Sequence, residues 1–95
     1  MEKTFTLIKA HAAVQRPYTD KNGQPQVFVS RGFELSDGID TLYAEMQGDL
    51  ARVNANTAYQ EGGAYRVQLQ MSLRRYTDAQ GCERFSNEVR IIKIA

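Results

Sequence analysis

From Tyr65 onward apolar and polar residues alternate without a fault. Tyr65, Val67, Leu69, Met71 and Leu73 fall on one parity, and Arg66, Gln68, Gln70, Ser72 and Arg74 on the other. A period of two predicts a β-strand with one buried and one wet face. Val27, Val29, Phe33 and Leu35 repeat the pattern, with Arg31 standing on the apolar parity. Leu42, Ala44 and Met46 give a shorter strand and place Tyr43 on its outer side. Thr4 to Val14 reads as an opening strand and Phe85 to Ile94 as a closing one. In the closing strand Val89 and Ile91 share one parity, whereas Ile92 and Ile94 share the other. That switch predicts a β-bulge or a segment buried on both sides.

The punctuation between these runs is turn chemistry. Asp20-Lys21-Asn22-Gly23, Ser36-Asp37-Gly38, Gly62-Gly63 and Asp78-Ala79-Gln80-Gly81 combine glycine, which supplies positive φ, with Asx side chains that bond nearby backbone. One segment breaks the β pattern. Gly48 to Asn56 offers Asp49 as a helix N-cap and apolar residues at i and i+3, which predicts a short helix ending before Gly62. The order is therefore three strands, a helix and two strands. That is the connectivity of the OB-fold, a five-stranded Greek-key barrel whose strands 2–3 and 1–2 and 4–5 loops bind oligonucleotides or oligosaccharides. The expectation is an all-β chain with a short helix between strands 3 and 4, forming one domain over residues 1–95.

Composition narrows the function classes. Apolar residues are 42% and charged residues 24%, ordinary for a soluble globular chain. No stretch approaches a membrane-spanning run, and the N-terminus enters the first strand directly, so the expected location is cytoplasmic. Cys82 and His11 are the only residues of their types, which excludes an intramolecular disulfide and a multi-thiolate zinc site. A Cys82–His11 nucleophile–base pair is the remote alternative; His11 sits in a run of small residues and Cys82 follows a turn glycine. Asp37, Asp40 and Asp49 lack the alternating ligand spacing of a calcium loop and read as a solvated face. No cofactor and no metal are expected.

Net charge is only +1, but it is unevenly distributed. Residues 1–33 hold five cations against two carboxylates, residues 34–63 hold Arg52 against six carboxylates, and residues 64–95 hold six cations against three. One face can attract phosphate while the whole stays near neutral. Two segments share the pattern Arg-x-Tyr-Thr-Asp-x-(Asn/Gln)-Gly: Arg16 to Gly23 and Arg74 to Gly81. They fall at the 1–2 and 4–5 loops, the arms flanking an OB groove. Each arm offers a cation for phosphate and a tyrosine for stacking under a base. The competing reading is ordinary hairpin chemistry with a Tyr packed across strands.

The residues from Gly48 to Val53, the following glycines and the run to Leu73 resemble the helix and fourth strand of bacterial single-stranded DNA-binding proteins. The segment from Arg74 to Val89 resembles their 4–5 hairpin in spacing and residue type. The resemblance is specific over residues 48–91 and topological before that. It implies that Tyr76 stacks on bases while Arg74, Arg75 and Arg84 hold phosphates. Thr41 and Gln47 occupy places where that family carries stacking aromatics, and the chain has no tryptophan. It ends at Ala95 without the linker and acidic tail of the family, as expected of a small divergent member or relative lacking the C-terminal tail.

Other positions have two readings each. Tyr43 stacks a base or covers a partner subunit. Arg31 is buried against a partner such as Glu45, or a bulge at Gly32 turns it into the groove. Phe28 has the wrong parity for the core and is a groove platform or a subunit contact. Lys9 and Arg90 read as solvated strand positions. The expected function is binding of single-stranded DNA, with RNA not distinguished, and with little sequence preference. Arg16, Tyr18, Lys21, Arg31, Tyr43, Arg74, Arg75, Tyr76, Arg84 and Phe85 form the candidate nucleic-acid surface. Unpaired edges and the family habit point to a homodimer or homotetramer without membrane association. The alternative is an OB-fold protein-interaction module without nucleic-acid affinity. An enzyme ranks third, because no acid–base pair, metal cluster or phosphate-cradling loop is present.

Overall fold

A computed structural model describes residues 1–95. Six strands and one helix follow in the order β1 (Glu2–Ala10), β2 (Val14–Thr19), β3 (Pro25–Ser36), β4 (Thr41–Gln47), α1 (Gly48–Val53), β5 (Ala64–Thr77) and β6 (Glu83–Ile94). The five expected strands are all present. The opening one ends earlier than expected, at Ala10, and a sixth strand, β2, forms over Val14–Thr19, mostly within what read as the 1–2 loop, where it makes a hairpin with the first half of β3.

The sheet runs β1-β5-β6-β4-β3-β2, and β1 also pairs with β3. That extra pairing closes β1, β3, β4, β6 and β5 into a barrel and leaves β2 outside the ring. All pairs are antiparallel except β4–β6, which meet in parallel at Glu45 and Arg90. β1 serves two neighbours because its register shifts between Leu7 and Lys9, turning the strand from β5 toward β3. A second register shift lies opposite Gln68 and Leu69, where Lys93 and Ile91 are the successive partners and Ile92 is the extra residue. This is the parity switch of the closing strand, resolved as a bulge.

The inward parity fills the barrel. Phe5, Leu7, Val29, Phe33, Leu35, Ala44, Met46, Ala51, Val67, Leu69 and Ile91 form one buried cluster. β5 keeps its alternation beyond Leu69, but Met71 and Leu73 are exposed because the strand has by then outrun the barrel. β5 and β6 continue together as a two-stranded ribbon ending in the turn at residues 78–82.

α1 packs against β3 and β4 through Ala51. Its cap position is Gln47, not Asp49, and Gln47 makes no side-chain cap bond. Asp49 lies within the first turn and pairs instead with Arg52, one helical turn on, at 2.5 Å.

Arg31 corrects an expectation. It faces inward at 8% exposure and does not reach any groove. Its Nε donates to the His11 carbonyl, and Nη1 donates to the carbonyls of Asn54 and Thr57, all at 2.8 Å. Its guanidinium carbon lies 5.3 Å from the Phe33 ring centre and 5.2 Å from that of Tyr59. The buried charge is held by carbonyl dipoles and aromatic faces, not by Glu45. β3–β4 pairing is regular through Gly32, so no bulge turns Arg31 outward.

A second tie runs across the surface. Lys3 Nζ on β1 donates to Asp37 Oδ2 at 2.6 Å. Asp37 Oδ1 meanwhile accepts from the backbone N–H groups of Ile39 and Asp40. These bonds, that from Lys3 foremost, hold the Asp37 carboxyl well below the usual carboxylate range.

Candidate nucleic-acid interface

Two hairpins reach out from the barrel, and their turns are built alike. In the first, Asp20 Oδ1 accepts from the N–H groups of Asn22 and Gln24, both at 2.9 Å, and Gly23 takes φ +78°. In the second, Asp78 Oδ1 accepts from Gln80 at 2.9 Å and Cys82 at 3.0 Å, and Gly81 takes φ +79°. The other carboxylate oxygen reaches six residues ahead in both: Asp20 Oδ2 accepts from Gln26 Nε2 at 3.3 Å, Asp78 Oδ2 from Arg84 Nε at 2.8 Å. These bonds favour the ionised carboxylates, so both aspartates titrate below their usual range, led by the Gln24 backbone for Asp20 and by Arg84 for Asp78. The repeated sequence motif is thus a repeated structure.

Between the hairpins lies a groove of about 610 Å³. Its walls are the outer faces of two parts of the sheet. Arg16 on β2, Phe28 on β3 and Tyr43, Glu45 and Gln47 on β4 form one wall. Gln70, Ser72 and Arg74 on β5 with Glu88 and Arg90 on β6 form the other, and Asn87 and Val89, of the opposite parity, border it. Arg16, Arg74 and Arg90 bring positive charge, and Glu45 and Glu88 bring negative. Arg74 Nη1 stands 3.5 Å from Glu88 Oε1 with both side chains solvated, a pair weak enough for an incoming anion to open.

A smaller cleft opens off the groove, lined by Arg16, Tyr18 and Phe28. The register explains it: Arg16 lies opposite Phe28 and Tyr18 opposite Gln26, so all share one face of the hairpin. On the second hairpin Arg74 and Tyr76 share a face with Ser86 and Arg84, their cross-strand partners. The Arg74 guanidinium lies 5.8 Å from the centre of the Tyr76 ring. Tyr76 and Arg84 stand beyond the groove wall, on the ribbon face that continues it.

Arg75 and Phe85 do not join them. They are direct cross-strand partners one residue out of phase with Arg74 and Tyr76, so they occupy the opposite face of the ribbon. There the Arg75 guanidinium lies 5.6 Å from the Phe85 ring centre. Grouping them with Tyr76 in one surface is therefore corrected, because adjacent strand residues point to opposite sides. Lys21 sits at the tip of the first turn and is exposed.

Tyr43 is set by a close approach. A β-carbon on Gly32 would lie 2.0 Å from its hydroxyl oxygen, so the ring lies across a strand position where only glycine fits. His11 meets it edge-on with ring centres 6.0 Å apart, and His11 Nε2 donates to Glu34 Oε2 at 2.8 Å. Burial, then the charges of Glu45 and Glu34, push the Tyr43 phenol above its usual pKa.

Of the aromatic and cationic groove residues, Phe28 and Arg90 lie outside the candidate set. Parity alone put Phe28 on an outer face, with its role left open, and Arg90 read as a solvated position. Neither could be assigned to a groove before the barrel's closure showed which outer faces meet. Thr41 stays exposed at the start of β4 and Gln47 lines the groove, so the groove's aromatic surface comes from Phe28 and Tyr43.

The sequence matches no family model and no curated protein. The structure is similar to the second OB-fold domain of replication protein A from Methanococcus maripaludis, with a TM-score of 0.56 and 14% identity, covering 99% of this chain and 79% of that one. It is also similar to a mitochondrial single-stranded DNA-binding protein from S. cerevisiae, with a TM-score of 0.55 and 9% identity, covering 100% of this chain and 90% of that one. The fold is an OB-fold. In OB-fold terms β1 and β2 together are strand 1, β3 to β6 are strands 2 to 5, and α1 is the helix between strands 3 and 4. The groove thus lies on the face of strands 2–3, between the 1–2 and 4–5 loops, where OB-folds bind their ligands. No helix is long and apolar enough to cross a membrane.

Proposed function

We propose that this chain is a non-catalytic module that binds single-stranded DNA in the groove between its two hairpins. The observation that carries this reading is the convergence of aromatic faces and arginines on the OB ligand face: Phe28 and Tyr43 in the groove, Tyr18 and Tyr76 on the flanking arms, with Arg16, Arg74 and Arg90 among them. Bases stack on the rings and phosphates pair with the guanidinium groups, which track a strand without demanding a fixed sequence. Arg84 and Lys21 extend the positive rim toward the two turns. The names of the two structural relatives, one a replication protein domain and one a single-stranded DNA-binding protein, support the same reading. The setting is DNA replication, repair or recombination in the cytoplasm.

The open edge of β2 and the exposed Met71, Leu73 and Phe85 on the ribbon support assembly as a homodimer or homotetramer, read by light scattering on the purified chain.

The deciding experiment is fluorescence anisotropy of a labelled mixed-sequence DNA strand titrated with protein at low and moderate salt. Saturable binding that weakens with salt and drops roughly tenfold in Tyr76→Ala is the expected result. Absence of binding at low salt and high protein concentration overturns the reading.

A further inference from the structure

A groove for phosphates has little use for carboxylates, and this one holds two. Glu88 is engaged by Arg74 at 3.5 Å. Glu45 makes no ion pair. It is half-buried in the groove wall, and its Oε1 accepts a hydrogen bond from Gln47 Nε2 at 3.1 Å. Tyr43, Glu45 and Gln47 alternate along β4, so they stand on one face with about 7 Å between successive side chains. That spacing brings the edge of a base lying on Tyr43 within reach of the Glu45 carboxylate. Arg90, paired with Glu45 across the parallel β4–β6 contact, is placed for the adjoining phosphate.

We infer that Glu45 makes this groove selective for bases that carry an exocyclic amino group, and against thymine. The inference rests on the strand-binding reading and specifies which bases that site accepts. An ionised carboxylate only accepts hydrogen bonds. Cytosine presents its N4 amino group, adenine its N6, and guanine N1–H beside its N2 amino group, each a donor for such an acceptor. Thymine presents one N3–H between two carbonyl oxygens, which oppose a carboxylate at close range. The resulting preference is one of composition, not of a fixed sequence. A partly buried carboxylate left facing thymine carbonyls would lose its solvent bonds and gain nothing in return.

The test compares labelled oligo-dC and oligo-dT of equal length, at mildly alkaline pH so that cytosine stays neutral, against wild type and Glu45→Gln. Wild type is expected to bind oligo-dC about fivefold more tightly than oligo-dT, the scale of a single well-placed hydrogen bond. Glutamine keeps the side chain's size and adds a donor for the thymine carbonyl, so Glu45→Gln is expected to erase the ratio by gaining affinity for oligo-dT. Equal affinities in wild type overturn the inference while leaving strand binding intact. A dC preference that survives in Glu45→Gln overturns it as well, by placing the selectivity elsewhere. Failure of both oligonucleotides to bind overturns the strand-binding reading itself, and this inference with it. Matching thermal transitions for the two proteins exclude misfolding as the source of any change.

Discussion

Tyr43 lies so close across Gly32 that a β-carbon at residue 32 would fall 2.0 Å from the tyrosine hydroxyl oxygen. The contact is with the far end of a half-exposed side chain, so a substitution moves the ring and not the backbone. Gly32→Ala is therefore expected to cost only about 1 kcal/mol of stability while swinging Tyr43 out of its place in the groove wall. His11, the only histidine, meets Tyr43 edge-on and makes a unique reporter. Its ring resonances are expected to shift in the NMR spectrum of Gly32→Ala, and affinity for a DNA strand to fall. Unchanged His11 resonances would contradict the placement.

Arg31 ties β3 to the segment after β1 and to the segment after α1. Replacing it by Met leaves the carbonyls of His11 and Thr57 without the Arg31 donor, while that of Asn54 keeps the Thr57 N–H. Each unmet acceptor costs on the order of 1 kcal/mol or more, so the loss is expected to reach about 2 kcal/mol. Urea unfolding followed by circular dichroism measures it. Below the transition, folded Arg31→Met is expected to keep its DNA affinity, because the guanidinium does not face the groove.

The groove and the far face of the β5–β6 ribbon make opposite predictions. Phe28→Ala removes a groove platform and is expected to weaken strand binding roughly tenfold, by a stacking contribution of about 1–3 kcal/mol. Phe85→Ala removes a ring from the far side and is expected to leave affinity unchanged. It is expected instead to shift any self-association seen by light scattering. A loss of DNA affinity in Phe85→Ala would place the strand on the other side of the ribbon.

Acid sensitivity follows from Asp37. Its carboxyl is held below the usual range in the folded protein and returns to about 3.8 in the unfolded chain. Its contribution is therefore complete above the unfolded value and is lost as pH falls through that value toward the lower, folded one. Lys3→Met removes the leading cause. The variant is expected to be less stable at neutral pH and to show a shallower decline in acid, so that the two curves of unfolding free energy against pH converge at the acid end. Parallel curves would contradict the assignment.

Much of this architecture was legible in the chain because period-two alternation fixes which face each residue occupies. The inward parity of Arg31, the outward parity of Phe28 and Tyr43, and the irregularity near Ile92 all followed from counting. Parity does not say what lies opposite a face. Met71 and Leu73 carry the same pattern as Val67 and Leu69, yet only the latter pair meets the core. Arg31 found carbonyls on two distant loops, which leave no trace in residue type. Arg75 and Tyr76 sit in one short hairpin, and sequence similarity grouped them although the pleat separates them. Asp49 has the composition of a cap, but the cap falls at Gln47 and the helix begins at Gly48, two positions earlier, so its charge is spent within the first turn.

The matched Asp20 and Asp78 turns have a bearing on strand polarity. Each arm presents an arginine, a tyrosine and an aspartate-anchored turn in the same order and on its groove-facing side. A DNA strand bound as proposed would meet nearly the same chemistry at both ends. In the proposed strand-binding mode the arms alone would not distinguish 5′ from 3′, and any preferred direction would come from the uneven walls between them, where Phe28, Tyr43 and Glu45 face Gln70, Ser72 and Arg74.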